Sequence, residues 1–250
     1  MTFWRCSIPL FLVFLGLPAS RADVVTLYDS GAGLSGAGSA VGWFDSSQFS
    51  QAQSFTNTYE GATITSISAW LKQGSSTMTG SFNLKLFAST GVPGTTATPT
   101  TGAALFSTTY NTSYLSSLTP PSGSAATAQQ ISFTGLNWSV NANTNYFFAF
   151  DATDMTGSSS SANYFLLQRS SPDVGGQNEA YSTNSLSTWT STVIGLTPPL
   201  TYPTAAATVY ASVPEPGTLI LLALAQGVFA AGWLVRRYRK KLAGLPTLQL

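Results

Sequence analysis

Apolar residues in this chain recur at every second position, and that period decides what it can fold into. Phe82, Leu84 and Leu86 alternate with Asn83 and Lys85. Ile67, Ala69 and Leu71 alternate likewise, as do Leu136, Trp138 and Val140, and Tyr146, Phe148 and Phe150. Successive side chains on a strand point to opposite faces, so such runs read as strands with one face buried. Residues 24–28, 130–133, 164–168 and 208–211 add further strands, and turn-rich stretches fall at 31–38, 74–80, 91–102, 120–125, 157–161 and 170–177. Nothing before Gly217 has the 3.6-residue period of an amphipathic helix. The expected fold of residues 23–212 is therefore all-β, an antiparallel two-sheet sandwich of jelly-roll type.

The C-terminus breaks this pattern. Residues 217–235 are uncharged, and Arg236, Arg237, Arg239, Lys240 and Lys241 follow around Tyr238. A helix rises about 1.5 Å per residue, so roughly 20 apolar residues cross a hydrocarbon core of about 30 Å. The expectation is a single C-terminal transmembrane helix over 217–235, with the basic cluster 236–241 on the cytoplasmic side and a short cytoplasmic extension over 242–250. At the other end, Arg5 precedes an apolar core at 8–17, and Ser20-Arg21-Ala22 offers small residues for signal cleavage between Ala22 and Asp23. Residues 1–22 are thus read as a signal peptide, which places 23–212 outside the cytoplasm.

Composition narrows the chemistry open to that exported part. The only cysteine, Cys6, lies in the signal, and the chain has no histidine. Disulfides, thiolate chemistry and the usual histidine-activated serine are excluded. Lys72, Lys85 and Arg169 stand against eight acids, a formal charge of −5, so nucleic acid is not an expected partner. No cofactor is expected either. Gly31-Ala32-Gly33-Leu34-Ser35-Gly36 fits G-x-G-x-x-G after a strand, but no helix follows it, so it reads as a flexible loop.

Asp151 and Asp154 are the closest acidic pair, at the end of the aromatic strand 146–150. A turn with Asx hydrogen bonds is the reading preferred for them. A calcium site and the two carboxylates of a glycosidase are the alternatives. Lys85, mid-strand, reads as an outward-facing solvated lysine. Trp70 and Trp138 lie in strand patterns and read as core. Trp43, Phe44 and Trp189 have polar, loop-like neighbours and are the candidates for exposed ligand contacts.

Val213-Pro214-Glu215-Pro216, the apolar run and the basic cluster together resemble the PEP-CTERM sorting signal of exported bacterial proteins. That resemblance implies that Val213, Pro214, Glu215 and Pro216 form the processing motif for exosortase, a membrane transpeptidase. It also implies release or attachment at the cell surface, often in association with exopolysaccharide matrix. Gln226 within the run and the extension 242–250 depart from the usual pattern, and the extension also fits a plain anchor. Tyr28-Asp29, Gln53-Ser54-Phe55, the strand 80–87 and Asn143-Thr144-Asn145-Tyr146-Phe147 resemble the choice-of-anchor β-sandwich domains that precede this signal. The expectation is a non-enzymatic, surface-sorted structural or adhesive protein, with a carbohydrate-binding module as the alternative and a secreted glycosidase as the weaker one. Its expected partners are the membrane, an exosortase-type transpeptidase and extracellular polysaccharide.

Overall fold

The computed structural model describes residues 22–31, 33–45, 47–74, 78–118, 127–156, 162–192 and 203–215, with Val228, Gly232 and Trp233. Twelve strands are present among them: β1 (Asp23–Asp29), β2 (Leu34–Phe44), β3 (Ser47–Asn57), β4 (Thr63–Gln73), β5 (Ser81–Ala88) and β6 (Phe106–Asn111), then β7 (Gln129–Ser139), β8 (Thr144–Asp151), β9 (Asn163–Ser170), β10 (Glu179–Ser182), β11 (Thr190–Ser191) and β12 (Ala207–Val213). A single 3₁₀ turn, Thr112–Leu115, is capped by the Asn111 side chain. The compact unit runs from Val24 to Val213, and every residue of its two apolar clusters lies inside it. It therefore carries its own core.

The strands form one hydrogen-bonded path, β1-β12-β4-β9-β2-β3-β8-β5-β6, with β7 on β4, β10 on β3 and β11 on β10. The all-β antiparallel reading holds. The strands are linked through the β2–β3 hairpin into one path that curls like a half-barrel, an arrangement compatible with the expected sandwich. Contacts between rings show how the curl closes. Phe82 and Phe150, on β5 and β8, meet Phe165 of β9 at 5.3 and 5.9 Å and Phe133 of β7 at 6.0 and 5.4 Å. All four rings are fully buried, and each contributes about 2 kcal/mol of apolar transfer.

A second, smaller cluster lies on the opposite face of β3, β5 and β8. There Ala52, Phe87, Phe147, Ala149 and Ala180 are covered by Ala97, Leu186 and Trp189.

Two strands divide one edge of β3 between them. β2 takes Ser47, Gln48 and Phe49, and β10 takes Ser50 to Gln53. Within the stretch 31–38, expected to be a loop, residues 34–38 belong to β2. Leu34 pairs with Ser170, and Gly38 to Trp43 pair with Gln168 to Asn163 of β9. Of the glycines in that stretch, Gly33 packs against the backbone of Ser171, whose amide donates to the Gly33 carbonyl at 3.1 Å.

Among the described residues, no helix is long and apolar enough to cross a membrane. The expected span 217–235 falls outside them except for Val228, Gly232 and Trp233, each helical.

Candidate functional site

The divided edge of β3 opens a groove on the surface of the fold. Where β2 leaves β3 and β10 takes over, the two strands diverge around a groove of about 300 Å³. Gly38 and Ala40 keep its β2 wall low, Phe44, Phe49 and Tyr181 supply rings, and Gln51, Arg169 and Thr192 supply polar groups. The rings form a row that continues beyond the groove. Tyr164 and Phe44 lie 4.8 Å apart, Phe44 and Phe49 6.5 Å, and Phe49 and Tyr181 6.5 Å.

Hydrogen bonds pin the base of the fork. Gln51 Nε2 donates to the Ala40 carbonyl at 3.0 Å, bridging β3 to β2. Ser39 Oγ donates to Glu179 Oε2 at 3.1 Å, and Arg169 Nε donates to the same oxygen at 2.9 Å. Glu179 is fully buried, whereas the Arg169 side chain is 22% exposed. Burial raises the Glu179 carboxyl above its ordinary range, against the downward pull of Arg169 and Ser39. Glu179 Oε1 has no hydrogen-bond partner among the described residues. A buried ion pair adds little net stability; what this one supplies is a guanidinium fixed at the groove. Arg169 also lines a neighbouring hollow of about 540 Å³ with Ser35, Pro172, Asp173 and Pro203.

The candidate contact residues separate. Phe44 is 43% exposed and sits in the ring row. Trp43, at the end of β2 and not in a loop, is half-buried, and its indole donates to the Met155 carbonyl at 3.2 Å. Trp189 is not an exposed contact. It is 9% exposed and packs edge-on against Phe87 at 5.8 Å, because the segment after β10 folds over the outer face of β5 and β8. Trp138 is core, stacked on Phe106 at 6.1 Å.

Asp151 and Asp154 are held by separate partners. Asp151 is buried and ion-paired with Lys85 at 2.6 Å. Its Oδ1 accepts from the Ser50 hydroxyl at 3.3 Å and from the amide and hydroxyl of Thr153 at 2.9 and 2.5 Å. Asp154 is exposed and accepts from Asn83 Nδ2 at 2.8 Å. The Thr153 bonds are the Asx turn read from the sequence. The lysine is the correction: Lys85 is not a freely solvated side chain but is ion-paired with Asp151. Burial pushes Asp151 up, and Lys85 with Thr153 overcomes it, holding the carboxyl below its ordinary range. A carboxyl kept charged in this way is a poor general acid.

At the C-terminus, β12 ends at Val213. Pro214 follows exposed and Glu215 half-buried. Pro216 and the basic residues Arg236, Arg237, Arg239, Lys240 and Lys241 lie outside the described residues, as does the segment 1–21. Ala22 is exposed, and Asp23 opens β1.

Residues 212–240 match a protein-family model described as the PEP-CTERM protein-sorting motif. The chain carries that sorting motif. The match begins inside β12 and ends in the basic cluster, so motif, apolar run and cations fall under one signature. Motifs of this kind are recognised by exosortase and mark exported proteins anchored by the C-terminus and then sorted to the surface. No curated protein and no solved structure matches the chain.

Sequence reasoning found Phe44 but missed Phe49, Tyr181, Gln51 and Arg169. Phe44 and Phe49 flank the β2–β3 turn, which was the one available signal. Tyr181 and Arg169 join them only through tertiary strand pairing.

Proposed function

We propose that this chain is a non-enzymatic protein displayed at the cell surface as a structural or adhesive component of an extracellular, exopolysaccharide-containing matrix. Its β domain, akin to choice-of-anchor sandwiches, is the displayed part. Residues 217–235 span the membrane until an exosortase-type transpeptidase acts at Val213-Pro214-Glu215-Pro216. The sorting motif directly behind the last strand carries this reading. Replacing Pro214, Glu215 and Pro216 with alanine is expected to leave the full-length chain in the membrane fraction. Wild-type processing and release in that variant would sink the proposal.

A second reading, a carbohydrate-binding module, is favoured by the ring-lined groove between β2 and β10. Exposed rings beside fixed polar groups are the surface such binding requires.

A further inference from the structure

We infer that the fork between β2 and β10 binds an uncharged polysaccharide chain, which lies against Phe44, Phe49 and Tyr181 and crosses Arg169 into the neighbouring hollow. The inference rests on the carbohydrate-binding reading and names its site and ligand class.

Three observations select the ligand. The first is the combination of surfaces. Phe44, Phe49 and Tyr181 offer apolar ring faces, and an aromatic face carries negative quadrupole density that suits the weakly positive C–H face of a pyranose. The flanks offer the Thr192 hydroxyl and the Arg169 guanidinium, while the buried Ser39 and Gln51 side chains hold Glu179 and β2 in place behind them. An occupant with one apolar face and a rim of hydroxyls meets both.

The second is charge. Glu179 neutralises Arg169 at 2.9 Å, Asp173 lines the next hollow, and the exported part as a whole is acidic. The local balance is zero or negative, so a polymer of uronic acids or sulfated sugars meets no excess cation here. Arg169 acts as a positioned hydrogen-bond donor and not as an anion receptor. Its Nε is committed to Glu179, which fixes the plane in which the remaining guanidinium N–H groups point.

The third is shape. Arg169 lines both the groove of about 300 Å³ and a second hollow of about 540 Å³. Two hollows joined at one side chain suit an extended chain better than a single sugar.

The test uses the full chain in a non-ionic detergent without a sugar headgroup, run through native gels containing one polymer each. Mixed-linkage β-glucan, galactomannan and dextran form the neutral arm, with alginate and polygalacturonate as the anionic arm. Retardation is expected on at least one neutral polymer and on neither anionic one. Phe44→Ala, at an exposed ring, is expected to weaken the retained interaction about tenfold. Arg169→Lys keeps the charge beside Glu179 but loses the planar fork, and is expected to weaken it as well. Circular dichroism on both variants checks that the fold is intact, and Tyr181→Phe provides a variant that retains the ring. Retardation on the anionic arm alone overturns this inference and leaves the binding-module reading standing. Retardation on no polymer overturns both. Neutral binding unchanged in Phe44→Ala and Arg169→Lys overturns the site. None of these results bears on sorting, which is read from processing of the tail.

Discussion

Lys85 and Asp151 meet at 2.6 Å on the face of β5 and β8 turned away from the main core. Asn83 lies directly opposite Asp151, so Lys85 reaches it along the diagonal of the antiparallel pair. The carboxylate is 1% exposed and its Oδ2 has no other partner among the described residues. Removing the cation strands a buried charge. Lys85→Met is expected to lower the unfolding free energy by about 3 kcal/mol, and Lys85→Met with Asp151→Leu to recover most of that loss. Urea unfolding of the 23–213 fragment measures both. A double variant no more stable than the single one would mean that the pair is not the cause.

The two buried carboxyls give the fold opposite responses to pH. Asp151 is held below its ordinary value of 3.8, so its contribution is present above that value and lost as pH falls through the native one. Glu179 is raised above its ordinary 4.5, so its contribution is full below that value and lost as pH rises through the native one. Stability is expected to climb out of the acid range and then decline. Urea midpoints from about pH 3 to about pH 8 trace the curve. Glu179→Gln should flatten the decline without touching the acid limb, whereas an unaltered decline in that variant assigns it to another group.

Hydropathy exposed the strands whose buried face is apolar and hid those whose buried face is polar. Residues of β1, β4, β5, β8, β9 and β12 alternate visibly and match the expected strands within a few residues, whereas the runs 130–133 and 136–140, expected as separate strands, fall on β7, a single strand that ends at Ser139. β3, Ser-Gln-Phe-Ser-Gln-Ala-Gln-Ser-Phe-Thr-Asn, is nearly as buried but reads as polar. Its side chains are internal hydrogen-bonding groups. Gln53 Oε1 accepts from the Ala205 amide at 2.6 Å, and Ser54 Oγ donates to Gln177 Oε1 at 2.9 Å. Paired polar groups can be buried at small net cost, and no periodicity of hydrophobicity records that. β2 was hidden by its glycines. At Gly42, φ is +116° and a Cβ would collide with the Asn163 carbonyl, so glycine is there to let β9 approach, not to make a loop. The groove inherits both blind spots, since β2 and β3 form its walls.

Trp189 tests what holds the second cluster together. Its ring covers Phe87, but its indole Nε1 has no partner among the described residues. Trp189→Ala removes the cover and is expected to cost about 3 kcal/mol. Trp189→Phe keeps a ring and deletes the unsatisfied donor, so it should remain within about 1 kcal/mol of the wild type. Equal losses from both substitutions would show that the indole nitrogen has a partner.

β12 lies between β1 and β4, and Ala207, Val209 and Ala211 are buried at 1% or less, so the last strand before the sorting motif belongs to the fold. Val209 pairs with Ile67 at the centre of β4, and the Tyr28 hydroxyl donates to the Ala205 carbonyl at 2.6 Å just upstream. Cleavage beyond Val213 should therefore leave the domain intact, while loss of the strand should not. A 23–213 fragment is expected to unfold cooperatively with sharp tertiary signals. A fragment ending at Thr204 exposes the edge of β4 and the apolar face beneath it, and is expected to be unfolded or aggregated. Near-UV circular dichroism and sedimentation of the two fragments decide the point. A folded, monomeric 23–204 fragment would show that β12 is dispensable and that the motif need not lie beyond it.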